Sequence, residues 1–92
     1  MLAKITFRGP QRGGRNTPPQ TGVRPTVRLG DEFTSCKIES TEGVEVFEFD
    51  REYNVRLTLF FPDKYQSRLH TCDDLNFYEG AKQVANGKIV SE

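Results

Sequence analysis

The densest group of reactive side chains lies in the run RLHTCDD, where His70, Cys72, Asp73 and Asp74 offer an imidazole, a thiol and two carboxylates. Neighbours along an extended chain point to opposite faces, so these four do not converge, and no second ligand pair elsewhere completes a metal site. They read as a polar loop. The chain contains 1 histidine, which leaves no nucleophile, base and orienting group to assemble by type. The glycines of GGR and GVRP follow neither the GxGxxG nor the P-loop pattern, and no strand-to-helix unit follows to aim a helix N-terminus at a phosphate. Catalysis, nucleotide binding, a cofactor and a metal are all outside the expectation.

Charge is the second source of chemistry. The formal net charge is zero, yet the first thirty residues hold Lys4, Arg8, Arg12, Arg15, Arg24 and Arg28 and no acid, whereas the rest carries seven basic and thirteen acidic side chains. Two outcomes stay open: a basic face, or a fold that interleaves the halves so that each arginine finds a carboxylate. Arg12, Arg24 and Arg28 are the basic surface candidates. RGGR at 12 to 15 is a single copy of an element found in RNA-binding tails, and one copy carries little weight.

Cys36 and Cys72 are far apart and in no CxxC pair, and the opening MLAKITFRG lacks the apolar run of a signal peptide. No stretch approaches the roughly 20 apolar residues that span a bilayer. A reduced, cytoplasmic setting without membrane association is the expectation.

The elements that must position these side chains are strands. Ninety-two residues make one small domain with a modest core, supplied largely by the seven Phe and three Tyr. Residues 3 to 7 alternate with odd positions inward. From Val23, the residues Val23, Pro25, Val27 and Leu29 share one side and Arg24, Thr26 and Arg28 the other, with Pro25 confining the strand to an edge or its start. Further strands are predicted at 33 to 38, 44 to 49, 55 to 61, 75 to 78 and 83 to 90. In VRLTLFF, Val55, Leu57, Leu59 and Phe61 take the inward phase. Glu42-Gly43, Asp50-Arg51-Glu52 and Glu79-Gly80-Ala81 are turns, and Pro62-Asp63 closes the strand at 55 to 61, the clearest of them. DKYQSRLH is predicted to make one helical turn at most. Short strands separated by turn residues point to an all-β fold, and closure would remove the edges that such aromatic strands expose. The expected architecture is a six-stranded antiparallel closed barrel.

GGRNTPPQTGVRP at 13 to 25 resembles the start of the C-terminal barrel, domain 3, of elongation factor Tu, where a Gly-Gly-Arg-His-Thr-Pro run precedes Arg-Pro at the same distance. The frame continues without a gap through Ile38-Glu39, Glu42-Gly43-Val44-Glu45 and Thr58-Leu59 to Pro62. After an insertion near 63 to 74, FYEGAKQVANGKIV is similar to the family's closing hairpin. The likeness spans nearly the whole chain and implies the same six-stranded barrel. Departures are Asn16 for the family's His, Thr26 for its Gln, and Phe49-Asp50-Arg51-Glu52 in place of a Pro-Gly-Asp turn. Arg28 and Gly30 stand where the family has aromatic residues, and its GTPase domain and second barrel have no counterpart in these residues.

In the family this barrel touches the T-stem backbone of aminoacyl-tRNA, the GTPase domain and the nucleotide-exchange factor. The resemblance places RNA-facing positions on Arg15, Thr26, Ser35 and Gly80, a set suited to phosphate and ribose contacts. Three functions follow as expectations. One is a non-catalytic module that binds a protein partner, as the framework is kept while surface positions change. A second is a tRNA- or RNA-backbone-binding accessory protein, and a third is a small immunity or regulatory protein that blocks a toxin with its acidic half.

Overall fold

The computed structural model describes residues 1–70 and 74–91. Six strands, β1 (Leu2–Phe7), β2 (Thr26–Leu29), β3 (Glu32–Ser40), β4 (Glu52–Leu59), β5 (Leu75–Glu79) and β6 (Lys82–Ser91), close in the order β1-β4-β3-β2-β5-β6. Every neighbouring pair is antiparallel, including β6 with β1. This is the barrel that the alternation predicts.

Period-two patterning explains the closure. In β4, Tyr53, Val55, Leu57 and Leu59 are buried while Glu52, Asn54, Arg56 and Thr58 are exposed, and β1 buries Ala3, Ile5 and Phe7 by the same rule. Phe7 stacks on Phe47 with ring centroids 5.0 Å apart, and Phe47 meets Tyr53 edge-on at 5.1 Å. Such pairs add about 1 kcal/mol each to the burial of the rings.

The glycine-proline stretch is a loop sewn to the barrel. Gly13 adopts a left-handed φ of 72° after a 3-10 turn over Pro10–Arg12, and Gly14 sits so close to the Arg8 backbone that a Cβ would collide with its carbonyl oxygen. Farther on, the Phe47 N–H donates to the Pro19 carbonyl at 2.8 Å, the Gly22 N–H to Ile38 at 2.7 Å and the Ile38 N–H to Val23 at 2.9 Å. Pro25 lies just before the first residue of β2, where its missing N–H costs the ladder nothing.

Three sequence expectations change. Residues 44 to 49 form no strand of the barrel: they run as a strap joined by single bridges at Val46–Gln20 and Phe49–Phe7, with Phe47 driven into the core. The alternation there reflects one anchoring ring and not a ladder. Residues 62 to 70 form a helix, α1 (Pro62–His70), longer than the single turn expected. Pro62 starts it at a first-turn position that needs no intrahelical donor, so its missing N–H costs nothing, Asp63 suits the positive end, and Leu69 is fully buried in the core. Arg68 fastens it to the β2–β3 hairpin by donating to the Leu29 carbonyl at 2.8 Å and to Glu32 at 2.6 Å. Because β4 ends at Leu59, Phe61 leaves the inward phase and is 61% exposed.

Candidate functional site

Strand register places Ser35 opposite Thr26, and Thr26 opposite Tyr78 on its other flank. The Phe60 N–H donates to the Ser35 carbonyl at 3.2 Å, which extends the row. Phe60, Ser35, Thr26 and Tyr78 thus cross one wall of the barrel side by side, on positions whose strand neighbours face the core. In the adjoining row Arg28 stands opposite Phe33. Phe33 is 51% and Phe60 43% exposed.

Local contacts hold these groups in place. The Thr26 hydroxyl donates to the Tyr78 carbonyl at 3.2 Å, and the Phe33 ring meets the Tyr78 ring edge-on at 5.4 Å. The Arg24 guanidinium lies 5.7 Å from the centre of the Phe60 ring, within cation–π range. Arg28 donates through Nε to the Gly30 carbonyl at 2.9 Å. Neither arginine is in an ion pair with a described carboxylate.

Arg12 and Arg15 are placed differently. Arg12 pairs with Asp50 at 2.8 Å. Arg15 donates to the Glu79 carboxylate and, through Nε, to the Thr17 carbonyl at 3.1 Å, so part of its fork is committed within the chain. Gly80 occupies the β5–β6 turn with a φ of 64°, directly after Glu79. All four positions singled out by resemblance therefore lie along one strip, from Ser35 and Thr26 past Tyr78 to the Arg15–Glu79 pair and Gly80. The N-terminal cations do not form one continuous basic face; the fold disperses them.

Sequence reasoning missed Phe33, Phe60 and Tyr78 as surface groups. The signal was present, because Phe60 shares its phase with Arg56 and Thr58, and Phe33 shares its phase with Ser35 and Lys37. Cys36, between those outward positions, faces the core and donates from Sγ to the Pro25 carbonyl at 3.4 Å. Burial pushes its thiol up to about 12, which leaves it inert. Of the polar RLHTCDD group, Cys72 and Asp73 lie outside the described residues, as does the His70 side chain. No described helix is long and apolar enough to cross a membrane. No protein-family model matches the chain, and no curated protein matches it.

Proposed function

We propose that this chain is a non-catalytic binding module, a relative of the C-terminal barrel of elongation factor Tu, that docks a protein partner through the wall formed by β2, β3 and β5. The observation that carries the reading is the row Phe60, Ser35, Thr26, Tyr78 with Phe33, Arg24 and Arg28 beside it. Aromatic rings and arginines dominate interface energetics, and burying two half-exposed phenylalanines against a partner supplies about 2 kcal/mol or more each. The small Ser35 and Thr26 between the rings leave room for a partner's side chain. Arg24 and Arg28 favour a partner with carboxylates facing this wall.

The test is capture from a bacterial lysate on the immobilised protein, run in parallel with Phe33→Ser/Phe60→Ser and with Lys4→Gln/Lys88→Gln on the opposite wall. The same protein should be retained by the wild type and the lysine variant and lost by the phenylalanine variant. Retention that is indifferent to the phenylalanines contradicts the assignment.

A second reading is favoured by one specific feature: Arg24 and Arg28 meet no described carboxylate and stand beside rings on which bases can stack. On that reading the wall binds the RNA backbone weakly, with a log–log salt slope near −0.9 per phosphate. The commitment of Arg15 to Glu79 removes one of the expected phosphate contacts. Fluorescence anisotropy with tRNA at two salt concentrations separates the readings. Salt-sensitive binding abolished by Arg24→Ala/Arg28→Ala supports RNA, and no binding at low salt rules against it.

A further inference from the structure

On the far side of the barrel, β5, β6, β1 and the start of β4 line a depression of about 400 Å³. Its cations are Lys4, Arg8 and Lys88, and its neutral donors include Thr6, Asn76 and Asn86. Register partners bring them together: Lys4 faces Lys88, Thr6 faces Asn86, and Asn86 faces Asn76. Gly87, beside Lys88, lets β6 lie tightly against β1, since a Cβ there would strike the Lys4 carbonyl oxygen and approach Ile5 Cγ1 to 2.8 Å.

Two features of this group are costly unless something offsets them. Like charges directly opposite on one face of an antiparallel pair repel, and Lys4 and Lys88 are such a pair. Arg8 is half-buried, and its Nε is closed off from solvent with no hydrogen-bond partner among the described residues. None of the three cations is in an ion pair with a described carboxylate, whereas Arg12, Arg15, Arg51 and Arg68 each meet one. An anion seated among them would answer both costs, by screening the lysines and accepting from the guanidinium.

The rim narrows the class of anion. Glu52 and Asp74 also line the depression, which opposes a long polyanion running through it. Two carboxylates beside three cations suit a compact ligand with an anionic end and a hydroxyl-bearing end. We propose that the Lys4, Arg8 and Lys88 depression binds a small phosphate monoester, the phosphate on the cations and Asn86, and an ester hydroxyl on Glu52.

The test is amide-detected NMR titration of the full chain at constant ionic strength and neutral pH, with inorganic phosphate, glycerol 3-phosphate and a short single-stranded RNA as probes. Glycerol 3-phosphate should give saturable shifts at Thr6, Arg8, Asn86 and Lys88 and bind tighter than inorganic phosphate. Arg8→Gln should weaken it about tenfold, the value of one charge-assisted bond. Lys4→Gln/Lys88→Gln, at exposed positions that leave folding intact, should weaken it at least as much. Glu52→Gln should strengthen inorganic phosphate and erase the advantage of the ester. Non-saturating shifts reproduced by chloride, or affinities unchanged in the lysine variant, overturn the site. RNA saturating the same amides more tightly than glycerol 3-phosphate, or inorganic phosphate outbinding the ester, overturns the monoester class. Because neither Phe33 nor Phe60 lines the depression, Phe33→Ser/Phe60→Ser should leave this titration unchanged.

Discussion

On the wall of β2, β3 and β5 the outward positions carry Phe33, Tyr78 and the neighbouring Phe60 with arginines that meet no described carboxylate, while across the barrel the outward positions of β1 and β6 carry lysines, amides and no ring. Both walls obey the same alternation and share the same interior. They differ in which groups the out-phase residues supply, and that difference separates two kinds of recognition. Rings with arginines suit a large partial surface that must be desolvated; converging cations in a hollow suit a small charged ligand. A single closed scaffold can present both, since closure leaves no strand edge to be protected and every outward position is available for chemistry.

The comparison breaks most completely when the shared interior is damaged. Phe47→Ala removes the ring that stacks on Phe7 and abuts Tyr53, and should cost about 3–5 kcal/mol in urea unfolding while abolishing recognition by both walls. Gly87→Ala acts on the cationic wall alone. The added methyl meets the Lys4 carbonyl, so a loss of about 1–3 kcal/mol is expected, with perturbed amide shifts along β1 and β6 and little change at Phe33 or Tyr78.

Surface substitutions sharpen the contrast with smaller effects on folding. Phe33→Ser/Phe60→Ser should shift stability by less than about 1 kcal/mol, because both rings are already half in solvent, yet remove partner capture. Arg15→Ala should lower stability by no more than about 1 kcal/mol, the range of a partly exposed ion pair, as measured by thermal unfolding at low and high salt. The thiol of Cys36 gives a pH test. Its pKa is raised from 9.0 to about 12 by burial, so the stabilisation is whole below pH 9.0 and fades as pH rises above it, when only the unfolded chain releases the proton. In a Cys72→Ser background, alkylation of Cys36 at pH 8 should proceed only at the rate of unfolding; rapid modification of the folded chain contradicts its burial.

The barrel was legible because β1, β2, β3 and β4 alternate cleanly between apolar and polar residues, and because Gly43 and Gly80 mark turns that need a positive φ. The strap at 44 to 49 was not legible, since one buried Phe47 amid exposed glutamates imitates a strand's alternation with only single bridges in place of a continuous ladder. The helix at 62 to 70 was hidden for the opposite reason. Its segment is polar except where Leu69 enters the core and Tyr65 packs beside it, so tertiary contact and not pattern decides it. As for the sites, Arg24, Thr26 and Arg28 were correctly assigned to one outward face. The aromatic partners of that face, the pairing of Arg15 with Glu79, and the meeting of Lys4, Arg8 and Lys88 depend on register between distant strands, which one sequence does not display.

The central claim is that the aromatic wall holds the partner and the cationic wall does not. The most direct measurement is the dissociation constant of the captured protein for the wild type, for Phe33→Ser/Phe60→Ser and for Lys4→Gln/Lys88→Gln, by isothermal titration calorimetry. The first variant should bind about a hundredfold more weakly, as expected when two aromatic anchors are lost, and the second should bind within about twofold of the wild type. Equal weakening in both variants, or weakening in the lysine variant alone, would contradict the claim.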